Sequence, residues 1–130
     1  MPGLDRVTAL AEQMREAGLP TDLHVEGDPA PLAPGVDLVA YRVIAEALTN
    51  ALRHAGPARA RVHIRYRAHE LDLEISDNGH GAATAATDGS GHGLAGMRER
   101  VALYGGTLDA GFRGDGFTVR ARLPVDRIRV

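Results

Sequence analysis

Cysteine and lysine are both missing from the 130-residue sequence, and all fifteen basic residues are arginine. Without cysteine there are no disulfides, no thiolate zinc sites and no thiol nucleophile. Without lysine there is neither a P-loop, whose lysine must reach the phosphates, nor a Schiff-base enzyme, which needs an amine. No apolar run approaches the ~18 residues that span a bilayer. The opening Met1-Pro2-Gly3-Leu4-Asp5 lacks the pattern of a signal peptide. Charge of one sign is scarce too: the net charge is −2, which argues against a nucleic-acid partner and against membrane contact by the chain itself.

What is present is an ordinary globular composition, 44% hydrophobic and 25% charged, at a length that fits one domain, residues 1–130. Glycine is the exception. Eleven of the sixteen glycines lie between Asp77 and Gly116, which implies a close backbone approach to something there. Helical spacing of Leu4, Val7, Leu10, Ala11, Met14 and Ala17 predicts a first helix within 1–19, and Leu23 and Val25 mark a short half-buried strand. Residues 36–55 form the strongest helix, with a core stripe of Ala40, Tyr41, Ile44, Ala47, Leu48, Ala51 and Leu52. Two alternating strands follow, over 60–67 and 71–77, then an aperiodic loop over 79–92. A helix from about Leu94 to Tyr104 and a terminal hairpin, 107–111 with 117–123, complete the chain. This order predicts an α/β two-layer sandwich, a mixed and largely antiparallel sheet with helices on one face.

Three clusters could carry chemistry. Glu46, Asn50 and His54 recur every four residues along the edge of the long helix. A carboxylate, an amide and an imidazole so aligned suit Mg²⁺ and phosphate oxygens, although an ordinary polar flank has the same spacing. Asp77 shares the parity of Leu71, Leu73 and Ile75, so its carboxylate points with the core just before Asn78-Gly79 breaks the strand. It is either the cap of its own turn or an acceptor at the floor of a pocket. Gly89-Ser90-Gly91-His92-Gly93 runs into Leu94, and bare amides at a helix start bind phosphate. Gly91 to Gly96 also spells G-x-G-x-x-G, but a dinucleotide fingerprint needs a strand immediately before it, and here there is a loop. Together the three clusters describe a nucleotide site.

These segments resemble a known family. Glu46-Ala47-Leu48-Thr49-Asn50 through His54-Ala55 is similar to the N box of the GHKL, or Bergerat-fold, ATPases. Asp77-Asn78-Gly79-His80-Gly81 resembles their first glycine box, and Gly91-His92-Gly93-Leu94 through Val101 the second. With Gly105-Gly106-Thr107-Leu108 and Arg122-Leu123-Pro124, the wording is most similar to sensor histidine kinases that pair with helix-turn-helix response regulators. The resemblance spans about residues 20–125. It implies an ATP·Mg²⁺-binding catalytic domain with a Bergerat fold. Asp77 would accept the adenine amino group, with Gly79 and Gly81 admitting the base. Asn50 would coordinate Mg²⁺, Glu46 would serve as the catalytic carboxylate, and His54 would lie near the phosphates. Gly91, His92, Gly93 and Leu94 would contribute to the nucleotide site, with 79–93 forming a lid over the triphosphate.

Two departures accompany the resemblance. The family often places threonine after Gly-x-Gly in the penultimate strand, whereas Gly114-Asp115-Gly116 is followed by Phe117 and only then Thr118, the residue expected to contact nucleotide in its stead. A histidine kinase also phosphorylates a histidine on a dimerisation helix. None of the six histidines here fits that role, His69-Glu70 falling in a hairpin turn. The implied chain is thus the catalytic part of a larger kinase, cytoplasmic in location, serving a dimerisation domain and a downstream response regulator. Its alternatives are a free-standing anti-sigma-factor serine kinase of the same superfamily and a nucleotide-free interaction module.

Overall fold

Period-two alternation of apolar and charged residues builds a five-stranded sheet with two unlike faces. The computed structural model describes residues 3–29, 31–54, 57–79, 92–114 and 116–125. A 3₁₀ turn, Leu4–Arg6, leads into helix α1 (Val7–Glu16), strand β1 (Thr21–Glu26) and helix α2 (Pro34–His54). Strands β2 (Ala60–Tyr66) and β3 (Glu70–Asp77), helix α3 (His92–Leu103), and strands β4 (Thr107–Arg113) and β5 (Gly116–Pro124) follow. The strand order is β1-β2-β3-β5-β4. β1 and β2 are parallel, joined by α2 as crossover, and the remaining pairs are antiparallel. The expected mixed sheet with helices on one side is therefore the observed one.

Register aligns the apolar rungs. Ile64 lies opposite Leu73, and Leu73 opposite Ala121, so one face of the sheet is continuous hydrocarbon. Helix α2 packs on this face, with α1 and α3 at its flanks. That sandwiched position widens the buried stripe of α2 beyond the sequence expectation. Val39 and Val43 join Ala40, Ile44, Ala47, Leu48 and Ala51 in the core, while Tyr41 and Leu52 are only partly buried. A helix touched by a sheet below and helices on both sides has little solvated surface left. β1 departs the other way, because it is an edge strand: Val25, expected on its buried face, is 52% exposed.

The opposite face is a ladder of opposite charges. Asp72 pairs in register with Arg65 on β2 and Arg122 on β5, and Glu74 with His63 and Arg120. Asp72 is 1% exposed, although among the described residues no helix covers this face. Its cover is arginine: Arg65, Arg67 and Arg120 each bring a guanidinium nitrogen within 3.6–3.8 Å of Asp72 Oδ2. Long arginine side chains carry an aliphatic stem that can shield a carboxylate from water while the charged head stays near solvent. Among the described residues, no helix is long and apolar enough to cross a membrane.

Candidate functional site

The crossover brings the chemistry-bearing segments to one end of the sheet. Helix α2 ends at His54 shortly before β2 begins at Ala60, and Ala60 is the register partner of Asp77 at the end of β3. Asp77 in turn pairs with Phe117 at the start of β5. Helix α3 ends in the Gly105 turn, where a φ of +79° favours glycine, and β4 then starts at the far end, opposite Arg122. Because α3 packs along β4, with Arg98 Nε donating to the Leu108 carbonyl at 3.1 Å, its first residues return to the Asp77 end. The end of α2, the end of β3 and the start of α3 thus gather on the helix side of one sheet edge.

On α2, Asn50 is 9% exposed and Glu46 is half-buried. Among the described residues neither side chain makes a hydrogen bond or ion pair. A carboxylate and a carboxamide one turn apart, held by a packed helix and uncommitted to structural bonds, are a donor set that suits a hard cation. His54 closes α2, and His92 and Gly93 open α3. Leu94 is buried in the hydrophobic core with Met97 and Val101, which fixes the face on which α3 rests. Gly81 and Gly91, with the rest of the expected lid over 80–91, lie outside the described residues.

Asp77 is half-buried, and its Oδ1 accepts the Gly79 amide at 2.8 Å. The capping turn read as one alternative from the sequence is therefore formed, and it fixes the carboxylate at the lip of the sheet. A contribution that sequence reading missed comes from Asn78. Its Oδ1 accepts the Arg59 amide at 2.7 Å while its own amide donates to the Arg59 carbonyl at 3.2 Å. This clamp carries the β2–β3 pairing one residue further and steadies the turn; the only sequence signal was an Asx residue at a strand end. Gly116 was likewise missed as a site residue. A Cβ there would strike the Asp77 carbonyl and crowd Asn78, so Gly116 is what lets β5 approach β3 here.

Asp77 borders a cavity of about 250 Å³ lined also by Asp22, Arg59, Arg61, Ser76 and Asn78. Asp22, Arg61 and Ser76 are register neighbours on the sheet face away from the helices, and neither Glu46 nor Asn50 lines this hollow. Thr118 is not brought to the helix side. Its register partners are Ser76 and Gly111, and it shares the opposite face with Ser76. Phe117 occupies the helix side instead.

Residues 35–127 match the family described as histidine kinase-, DNA gyrase B-, and HSP90-like ATPase. Over 108 residues the chain is 37% identical to the sensor histidine kinase LnrJ of Bacillus subtilis, covering 82% of this chain and 26% of that protein. It is 33% identical over 131 residues to the B. subtilis sensor histidine kinase YxjM, covering 96% of this chain and 31% of that one. The chain thus spans between a quarter and a third of these relatives. The solved mycobacterial sensor histidine kinase MprB superposes with a TM-score of 0.67 at 20% identity, over 95% of this chain and 94% of that one, and so shares the fold. With that family's model matched over residues 35–127, the chain belongs to the histidine kinase-, DNA gyrase B- and HSP90-like ATPases, and it shares its fold with a solved sensor histidine kinase.

Proposed function

We propose that the chain binds ATP with Mg²⁺ at the Asp77 end of the sheet and supplies the γ-phosphate to a histidine on the dimerisation domain of a parent sensor kinase, for relay to a response regulator. In this transfer a P–N bond to the acceptor imidazole forms as the P–O bond to ADP breaks. The single observation that supports it most is the gathering of α2's end, Asp77 and α3's start at one sheet edge. The sensor-kinase relatives favour this reading over the anti-sigma-type serine kinase.

Each residue has a role in the proposal. Asp77, held by its turn to Gly79, accepts the base amino group. Asn50, a mostly buried amide without a structural hydrogen bond among the described residues, would hold Mg²⁺, with Glu46 beside it as the catalytic carboxylate. The metal, when bound, neutralises phosphate charge. The first amides of α3 add a helix-start partial charge toward the triphosphate. Positioning and charge neutralisation are most of what phosphoryl transfer asks of a protein. The proposed setting is the cytoplasm, with the dimerisation domain and the response regulator as protein partners.

Calorimetric titration with ATP tests the proposal. The Asp77→Asn change puts a donor where an acceptor is needed and should weaken binding by about 1–3 kcal/mol. Asn50→Ala should weaken it mainly when Mg²⁺ is present. Equal losses with and without the metal would remove Asn50 as a ligand, and no heat from the unaltered chain would remove ATP binding altogether.

A further inference from the structure

The sheet face away from the helices holds a second set of polar groups that the nucleotide reading does not use. Register sets Asp22, Arg61 and Ser76 side by side across β1, β2 and β3, and Ser76 across from Thr118 on β5. The acids around this row already have partners. Glu74 Oε1 lies 4.0 Å from Arg65 Nη1 and 3.9 Å from Arg120 Nε, and Asp22 Oδ2 lies 3.7 Å from Arg59 Nη1. Arg61 is different. Among the described residues its guanidinium forms no ion pair or hydrogen bond, and the Ser76 hydroxyl forms no hydrogen bond either. Asn78 commits its Oδ1 to the Arg59 amide, so its NH₂ has no partner among the described residues. All of these side chains line the cavity of about 250 Å³.

We propose that this cavity binds a single oxyanion group, a phosphate or a carboxylate, held by Arg61 and Ser76 with Arg59 and Asn78 at its rim. Donors dominate the lining: two guanidiniums, a hydroxyl and a carboxamide NH₂. Of the two carboxylates that border it, Asp22 is matched by Arg59, and Asp77 accepts the Gly79 amide with the strand parity of the core face. The planar fork of a guanidinium fits two oxygens of a phosphate or carboxylate at once, and a neighbouring hydroxyl can donate to a third contact. Size selects for one group. Pockets that enclose drug-sized ligands run from roughly 300 to 1,000 Å³, so this smaller hollow takes an anionic group and not a whole nucleotide. Ser76 and Asp77 are consecutive strand residues and face opposite sides of the sheet. The site is therefore separate from the nucleotide reading, and neither stands or falls with the other.

Titration of the ¹⁵N-labelled chain with sodium phosphate, and separately with sodium acetate, tests the site, with sodium chloride holding the ionic strength constant. The readouts are the Arg61 Nε–Hε signal and the backbone amides of residues 59–61 and 76–78. Saturable shifts at these positions are expected. Saturation by both ions assigns any oxyanion group, and saturation by one alone names which. Arg61 is exposed, so Arg61→Gln should keep the melting temperature while weakening the tighter ion about fivefold or more. Ser76→Ala leaves every charge in place and should weaken it about threefold. Arg122→Gln, two rows away on the same face, should bind as the unaltered chain does. Shifts that grow without saturating for both ions would overturn the site, as would affinities within twofold of wild type in both Arg61→Gln and Ser76→Ala. An equal loss in Arg122→Gln would also overturn it, because general charge would then account for binding. So would saturation centred on residues 92–96, which lie at the nucleotide end.

Discussion

Single side chains at the two ends of the sheet respond to opposite demands. At the site end, Asp77 and Gly116 are defined by backbone: one is locked by the Gly79 amide, and the other has no room for a Cβ against the Asp77 carbonyl. At the far end, Tyr66 closes β2. Burial raises its phenol above the usual value, and the negative charge of Asp37 raises it further. The folded chain thus holds the phenolic proton more tightly than the unfolded one. The stability this contributes is complete below a phenol's ordinary value near about 10 and is lost as pH rises through the higher folded value. Melting curves taken from about pH 9 upward should show a steeper alkaline decline for wild type than for Tyr66→Phe. Parallel declines would assign the alkaline transition to other groups.

Among the elements, α2 and β3 carry most of the architecture, and they differ in how far the sequence foretold them. The 3.6-residue spacing of α2 located Glu46 and Asn50 on its border, because amphipathic period is written locally. The burial of Val43, at 0% exposure, was not legible, since it depends on α1 and α3 flanking the helix, and no local pattern encodes neighbours. Strand β3 was legible as a strand, and Asp77 as a carboxylate of core parity. Asp72 has the parity opposite to Leu71, Leu73 and Ile75, yet Arg65 on β2, Arg67 in the β2–β3 turn and Arg120 on β5 surround it and it is 1% exposed; only register reveals that. Asp72→Asn should therefore destabilise the fold by about 1–3 kcal/mol, because Arg65, Arg67 and Arg120 lose the buried carboxylate they share. The remaining pairs of Arg65 with Glu26 and Glu74, and of Arg120 with Glu74, do not replace it. Chemical denaturation in urea should show that loss shrinking as salt is added, since screening weakens repulsion among partly exposed charges. A loss that does not change with salt would mean that packing, not charge, governs the site. Thr118 shows the limit of motif reading from the other side: counting along the chain placed it beside the missing hydroxyl, whereas the strand's two-residue period turns it to the opposite face.

For the whole molecule, the parallel β1–α2–β2 crossover matters most. It is the connection that returns the end of α2 to the same edge as Asp77, while the antiparallel β3–β5–β4 order brings Phe117, Phe112 and the start of α3 there as well. Ligand binding at such a junction links pieces distant in sequence. Saturating ATP and Mg²⁺ should raise the melting temperature in proportion to the logarithm of ligand concentration, as binding to the folded state alone requires. The most direct measurement is a nuclear magnetic resonance titration of the ¹⁵N-labelled chain with ATP and Mg²⁺, following backbone amides. The expected result is simultaneous, saturable shifts at residues 46–54, 77–79 and 92–96, with little change at the Asp72 face. Shifts confined to one of these segments, or centred on the arginine-covered face, would contradict a single nucleotide site at the Asp77 end of the sheet.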